Sequence, residues 1–349
     1  MTVREIIDMT AGKRVSDIHL TVGLPPMFRL AGKLTPMTGT PLADADIDAF
    51  ARELCSKQYY EELERTGETD FAVTVGDRRL RMNIYRQQGH KAIAARMLPL
   101  HIPTAQDLCL PDVIMEQTKK LRGLVLVTGP TGSGKSSTLA AMLEQVNCTS
   151  QRHIITLEQP IEYVYQPKKC IINQREVGRD TESFASGLRA ALRQDPDVIL
   201  VGEMRDLETI STAVTAAETG HLVFGTLHTK GAANTVHRII DVFPEGQQGQ
   251  IRMQLADVLE CVVAQRLLPK IGGGRRAAFE VLLGTSAVRN LIRQEKTHQL
   301  VSTMQTSRGQ GMILFDDDLA RLVRERIISR EDAMAAAVNR EALAMQLGR

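Results

Sequence analysis

Residues 129–136 read Gly-Pro-Thr-Gly-Ser-Gly-Lys-Ser and fit the pattern G-x-x-x-x-G-K-[ST] of a phosphate-binding loop. Glycines at 129, 132 and 134 let backbone N–H groups approach a triphosphate, because glycine has no side chain. Lys135 is placed to reach the β- and γ-phosphates, and the Ser136 hydroxyl is placed to bind Mg²⁺. The motif predicts a site for ATP and Mg²⁺. Its predicted nucleotide-binding residues are Gly129, Pro130, Thr131, Gly132, Ser133, Gly134, Lys135, Ser136 and Ser137.

The segments on either side of the loop support this interpretation. Residues 124–127 form an apolar run typical of a strand that is buried on both faces of a parallel sheet. Residues 137–143 predict a helix, whose first N–H groups would point at the anion. The alternative is a glycine-rich turn that matches the pattern by chance, and the strand before it and the helix after it favour the phosphate loop.

A second apolar strand, predicted at 198–201, leads into Gly202 and Glu203. A carboxylate at the end of such a strand can hold Mg²⁺ through water or polarise the water that attacks the γ-phosphate. The alternative is a surface glutamate that ends a strand. Because a phosphate loop lies upstream, we interpret Glu203 as a catalytic residue and as a ligand of Mg²⁺, directly or through water.

Two further predicted strands bring polar residues to the carboxyl edge of the same sheet, where ligands of open α/β sheets bind. The strand at 153–157 is followed by Glu158 and Glu162, which are candidates for contacts with Mg²⁺ or water. The strand at 222–227 is followed by His228, which could donate a hydrogen bond to the γ-phosphate. Solvated carboxylates and a structural histidine remain the alternatives.

Residues 1–98 predict a small α+β domain with one helix at 44–63 and strands at 70–75, 79–86 and 92–98. Alternation of apolar and polar residues places Arg81 and Arg96 opposite the apolar faces of their strands. Spacing alone favours solvated surface charges. The alternative is a pair of arginine fingers that stabilise charge on the transferring γ-phosphoryl group.

Prolines at 99 and 103 predict an extended linker over residues 99–110. Residues 111–349 then alternate strand-like and helical segments, the pattern of a parallel α/β sheet, and end in helices from about residue 285. The first of these helices carries Arg289 and Arg293 four residues apart on one face. Either a solvated basic face or a partner-docking face explains them.

Composition excludes several classes of protein. The chain has 349 residues, 43% of them hydrophobic, and a net charge of +2, so it lacks the strong positive charge of a dedicated nucleic-acid binder. It has no Trp for base stacking, and its five cysteines show no metal-site or disulfide spacing. No membrane span or secretory signal is evident, and we expect a cytoplasmic location.

Taken together, these motifs resemble those of the secretion ATPases of the phosphate-loop class, and within them the type IV pilus retraction ATPases. The resemblance runs nearly end to end. It rests on the phosphate loop 129–137, an Asp box at 155–162, an acidic motif at 195–206 and a His box at 219–229. Residues 287–294, Ala-Val-Arg-Asn-Leu-Ile-Arg-Gln, resemble a segment that the retraction ATPases use for retraction rather than for ATP turnover.

The resemblance implies a RecA-like P-loop ATPase domain with C-terminal helices and a smaller PAS-like N-terminal domain. It implies a homohexameric motor at the inner face of the cytoplasmic membrane, acting on an inner-membrane platform protein of the pilus. Under it, Glu162 assists Glu203, while His228, Arg81 and Arg96 sense the γ-phosphate. Gln159, Ser137, Val288 and Gln294 differ from the usual residues of the family.

Four other functions remain as alternatives. Two lie within the family: an accessory retraction ATPase, and an extension or secretion ATPase. The other two are a nucleic-acid translocase, which the charge and the few aromatic residues argue against, and a ring subunit that binds nucleotide without hydrolysing it.

Overall fold

The computed structural model describes residues 2–13, 15–30 and 32–348. The chain forms two compact units, one comprising Met1–His101 with Pro160–Val164 and the other Ile102–Gln159 with Tyr165–Arg349. Most of the segment expected to be a linker, from residue 102 onwards, therefore belongs to the second unit. A helical turn forms there because Thr104 and Asp107 make a capping box.

The first unit contains an antiparallel sheet whose strands lie in the order β3-β2-β1-β6-β5-β4. Its strands are β1 Val15–Thr21, β2 Met27–Leu30, β3 Lys33–Pro36, β4 Glu68–Val75, β5 Arg78–Gln87 and β6 His90–Leu98. Its helices are α1 Val3–Asp8, α2 Asp44–Leu54 and α3 Lys57–Thr66. The structure confirms the α+β class and the strands β4 to β6, and it adds β1 to β3, which are not among the predicted strands.

The single helix expected over residues 44–63 is wrong, since the structure has two helices there. Cys55 is extended, with ψ of 135°, and Ser56 starts α3 by accepting a hydrogen bond from the N–H of Tyr59. Both helices still bury the predicted apolar stripe, as Phe50 and Leu63 illustrate, and the helix start at Ser56 divides this stripe between them.

The second unit is built on a sheet with the strand order β13-β12-β7-β11-β10-β8-β9. Its strands are β7 Gly123–Thr128, β8 His153–Glu158, β9 Ile171–Glu176, β10 Val198–Val201, β11 Leu222–Leu227, β12 Leu259–Pro269 and β13 Arg275–Leu283. Its helices are α4 Ala105–Leu108, α5 Asp112–Glu116, α6 Lys135–Thr149, α7 Phe184–Ala191, α8 Leu207–Glu218, α9 Ala232–Asp241, α10 Glu245–Val258, α11 Ser286–Arg293, α12 Leu300–Thr306, α13 Phe315–Arg324, α14 Arg330–Ala336 and α15 Arg340–Leu347. Short 3₁₀ turns occur at Gln117–Lys119, Thr297–Gln299 and Arg308–Gln310.

The central strands of this sheet are parallel, and β13 pairs with β12 in the antiparallel sense. Every residue of β7, β10 and β11 is buried, as expected for strands covered on both faces. The predicted α/β class is confirmed. Since parallel strands share an orientation, the segments that follow β7, β10 and β11 emerge at one edge of the sheet.

The C-terminal helices α11 to α15 complete the second unit. Phe315, Leu319 and Leu343 form a buried cluster with Leu268 of β12. The Ser329 hydroxyl starts α14 by accepting a hydrogen bond from the N–H of Asp332. Among the helices of residues 2–13, 15–30 and 32–348, none has both the length and the apolar character needed to cross a bilayer.

Candidate nucleotide-binding site

The phosphate loop follows β7 and leads directly into α6. Gly129, Gly132 and Gly134 have φ angles of 142°, 77° and 91°, which side-chain-bearing residues rarely adopt. At Gly129 a Cβ atom would lie 2.3 Å from the carbonyl oxygen of Gln265. Both the backbone conformation and the close approach of β12 therefore require glycine at this position.

Lys135 is the first residue of α6, and its ammonium group lies against the loop. Nζ donates to the carbonyl oxygens of Gly129 at 2.9 Å and Pro130 at 3.2 Å. Ser136 and Ser137 follow in the first turn, which contains no acidic residue. The positive end of the helix dipole and the lysine charge therefore add at this point, a suitable environment for an anion.

Glu203 and His228 lie together at the same edge of the sheet. In the strand order, β11 stands between β10 and β7, so His228 emerges between Glu203 and the phosphate loop. His228 Nε2 is 2.8 Å from Glu203 Oε1, and Arg205 Nε also contacts that oxygen. Because a carboxylate only accepts hydrogen bonds, Nε2 of His228 carries the proton in this contact.

One cavity joins this pair to the loop. It is lined by Pro130, Thr131, Glu203, Met204, Arg205, Leu227, His228, Thr229 and Arg238. Only 18% of the Glu203 side chain is exposed, and its carboxylate contacts His228 and Arg205, which line the same cavity. The structure thus places a carboxylate, an imidazole and two loop residues around one space that a phosphate chain could enter.

The two histidines of the His box lie at opposite ends of β11. His221 precedes the strand and its Nδ1 is 2.9 Å from the carbonyl oxygen of Ala216, whereas His228 follows the strand. A six-residue strand separates them by about 20 Å. His221 therefore has a structural position, and only His228 belongs to the candidate site.

The two acidic candidates after β8 have separate surroundings. Glu158 Oε1 accepts hydrogen bonds from the Thr156 hydroxyl at 2.7 Å and from the Gln174 amide at 3.1 Å. Glu162 lies in Pro160–Val164, which belongs to the first unit. The carbonyl of its neighbour Ile161 accepts from Arg79 Nη2 at 2.8 Å. The cavity beside Glu203 and His228 is lined by residues of the second unit, and the role of Glu162 stays a prediction.

Arg81 and Arg96 are direct cross-strand partners in β5 and β6. Arg81 makes a bidentate ion pair with Asp70, at 3.1 and 2.6 Å, and Arg96 Nε donates to Asp17 Oδ1 at 3.0 Å. Burial alone would raise the pKa of Asp17, but the hydrogen bond and charge of Arg96 lower it below its ordinary value. The sheet thus presents two adjacent guanidinium groups, each paired with a carboxylate.

Arg289 and Arg293 are not a free basic face. Arg289 donates to the carbonyl oxygens of Gly284 and Asp257, both at 2.7 Å, and to Glu260 Oε1 at 2.6 Å. Arg293 forms an ion pair with the Asp257 side chain. These contacts fasten α11 to the end of α10 and the start of β12, which neither alternative from the sequence had anticipated.

Gln265 of β12 contacts the phosphate loop and is not among the residues predicted from sequence. Its side chain is buried, and Nε2 donates to the carbonyl oxygen of Ser133 at 2.8 Å. The available signal was an amide beside Arg266 in a run at 261–268 whose other residues are apolar, but this run is not among the predicted strands. A polar residue buried in a strand next to the phosphate loop is a candidate for contact with it.

Comparison with known proteins identifies close relatives. Residues 105–273 match the family described as Type II/IV secretion system protein. The chain is 47% identical to the type IV pilus retraction ATPase PilT of Pseudomonas aeruginosa, covering 97% of this chain and 98% of that protein. It is 40% identical to the type IV pilus ATPase PilU of the same organism, covering 97% and 89%.

Solved structures give the same result. The crystal structure of the pilus retraction motor PilT with bound ADP matches with a TM-score of 0.93 at 48% identity, over 99% of both chains. The ATPase DotB of Legionella pneumophila matches with a TM-score of 0.82 at 29% identity, over 95% of this chain and 93% of that one. The likeness covers both units of the chain.

Proposed function

Since the chain belongs to the Type II/IV secretion system protein family, we propose that it is an ATP-hydrolysing motor that drives retraction of type IV pili. The observation that carries the proposal is the 47% identity with a retraction ATPase over nearly the whole length of both chains. A phosphate loop that matches the full sequence pattern, with Glu203 and His228 beside it, supports ATP hydrolysis as the activity.

In this proposal the loop residues 129–137 hold the phosphates through backbone N–H groups and Lys135. Glu203 accepts the proton of the attacking water as general base, and His228 Nε2–H turns from Glu203 to the γ-phosphate when that group is present. The 2.8 Å contact between these two side chains keeps the His228 imidazole in one tautomer and both side chains in one orientation before the reaction.

The donor set fits Mg²⁺. Ser136 offers a hydroxyl oxygen in the first turn of α6, and Glu203 offers a carboxylate oxygen just after β10. Mg²⁺ in such sites takes few protein ligands and keeps several waters. When bound, the ion would neutralise charge on the phosphates. Among the described residues there is no cluster of three or more histidine, cysteine or acidic side chains that could hold a metal ion by itself.

Arg81 and Arg96 are proposed to approach the γ-phosphate in the assembled motor, and Glu162 is proposed to assist Glu203 in activating the water. Each arginine must exchange its carboxylate partner for phosphate oxygens, and the ion pairs with Asp70 and Asp17 keep the guanidinium groups oriented until then. The Arg96 side chain is 69% exposed and that of Arg81 is 38% exposed, so Arg96 can exchange its carboxylate partner for a phosphate more easily than Arg81.

Arg96→Ala is expected to lower ATP turnover by about 100-fold or more, because an arginine that stabilises charge in phosphoryl transfer contributes at least this much. Steady phosphate release by the purified protein measures the effect. Arg65→Ala, at an exposed position of α3, is the matched control and should turn over ATP normally. Mixing Arg96→Ala with Lys135→Ala subunits restores turnover only if the arginine serves a neighbouring subunit. Normal turnover by Arg96→Ala alone would reject its role.

We further propose a homohexamer that works at the inner face of the cytoplasmic membrane and pushes on a platform protein there. The accessory role remains the second candidate, because the chain is also 40% identical to PilU over 97% of its length. Retraction as the main role is favoured by the higher identity to PilT.

Deleting the gene and imaging pili tests the proposal. A retraction motor predicts surplus pili that fail to retract, restored by the wild-type gene and not by Glu203→Gln. Cells without pili would point to an extension motor, and a normal phenotype that appears only with a second deletion would point to the accessory role. ATP turnover that depends on single-stranded DNA would favour a translocase instead.

A further inference from the structure

Gln265 touches the phosphate loop through both its backbone and its side chain. β12 runs parallel to β7 with Ala264 opposite Thr128, so Gln265 is level with Gly129, the first residue of the loop. The carbonyl oxygen of Gln265 occupies the space that a Cβ on Gly129 would need. The Gln265 side chain, only 2% exposed, continues from there beneath the loop.

The carboxamide makes one well-defined hydrogen bond. Nε2 donates to the carbonyl oxygen of Ser133 at 2.8 Å, and Ser133 itself is only 3% exposed. If the amide were flipped, Oε1 would face the carbonyl oxygen of Ser133. Both atoms are hydrogen-bond acceptors and neither carries a proton, so the orientation with Nε2 as donor is the favourable one. Burial excludes water from competing for this bond.

The bonded carbonyl belongs to the peptide that joins Ser133 to Gly134. In a planar trans peptide the C=O and N–H bonds point in opposite directions. A carbonyl held against β12 therefore directs the N–H of Gly134 away from β12. Gly134 has φ of 91° and immediately precedes α6, where backbone N–H groups of phosphate loops face the anion.

We propose that Gln265 is a positioning residue for nucleotide binding, which holds the 133–134 peptide so that the Gly134 N–H faces the phosphates. This inference rests on the proposed function, because it assumes that the loop binds a nucleotide. Gln265 does not touch the nucleotide. It acts by fixing one backbone donor before the nucleotide arrives, which lowers the cost of ordering the loop.

Two variants of the full-length protein remove the donor in different ways. Gln265→Met keeps a long unbranched side chain without an N–H, and Gln265→Glu keeps the shape but offers an acceptor. Each leaves the buried carbonyl of Ser133 unsatisfied, so we expect ADP to bind about tenfold more weakly to both. Gln250→Glu, at an exposed position of α10, is the control for the charge change and should bind ADP like the wild type.

Titration calorimetry with ADP gives the dissociation constants, and thermal unfolding without nucleotide reports packing. The inference is supported if both Gln265 variants lose affinity by more than their control. It is overturned if both bind ADP normally, if only Gln265→Glu is weakened, or if the unfolding temperature falls while affinity stays unchanged. A wild-type protein that does not bind ADP would reject the proposed function first and this inference with it.

Discussion

Replacing Lys135 with alanine is expected to reduce ATP hydrolysis by about 100-fold or more and to weaken nucleotide binding. The ammonium group is held by the carbonyl oxygens of Gly129 and Pro130, so it already lies at the mouth of the loop. Removing it takes away a mobile positive charge of the loop itself, which can follow the γ-phosphate as it transfers. Phosphate release and ADP titration with the purified protein measure the two effects.

Two further variants test whether the effect depends on the position of the lysine and on the shape of its charged group. Lys270→Ala removes a lysine from an exposed turn and should leave both quantities unchanged. Lys135→Arg keeps the charge but has a planar, larger head group that cannot act as a compact point charge, so it should restore little of the turnover. Undiminished hydrolysis by Lys135→Ala would contradict the assignment of the loop.

The parts of the site predicted from sequence are those encoded locally. A buried strand, a glycine-rich loop and a helix follow one another at 123–149, so their pattern identifies the phosphate loop without knowledge of the rest. Glu203 and His228 were found in the same way, because each directly follows an apolar run. The parallel sheet then brings these segments to one edge, and chain order implies this once the strands are recognised.

The parts that sequence could not give depend on residues far apart in the chain. The bond from Gln265 to Ser133 spans 132 positions, and nothing near either residue indicates it. β12 escaped recognition because Gln265 and Arg266 interrupt its apolar run. Strands β2 and β3 are only four residues long, too short for alternation to be distinguished from a turn.

The partners of charged residues also depend on segments that are distant in sequence. Spacing placed Arg81 and Arg96 correctly on the polar face of their strands, but their partners Asp70 and Asp17 come from other strands. For Arg289, sequence suggested a surface, whereas three carbonyl groups and Glu260 fix its guanidinium in place. A charge pattern identifies the face of an element, and only the packed neighbours determine what the charge does.

Glu203→Gln is expected to separate nucleotide binding from hydrolysis. Glutamine has the shape of glutamate, and its Oε1 can still accept a hydrogen bond from His228 Nε2, so the 2.8 Å contact is retained. An amide cannot take a proton from water near neutral pH, and loss of a general base lowers turnover by about 100-fold to 10,000-fold. ADP affinity should change little, because the loop and Lys135 are untouched.

Single-turnover hydrolysis and ADP titration distinguish this from a general loss of function. Glu182→Gln, in the exposed segment before α7, is a matched control that should behave as wild type in both assays. Lys135→Ala should lose affinity and turnover together, whereas Glu203→Gln should lose turnover alone, since the two residues act on different parts of the reaction. Wild-type hydrolysis in Glu203→Gln would mean that another group accepts the proton. The contact of Glu203 with His228 would then have only a structural role, at the carboxyl ends of β10 and β11.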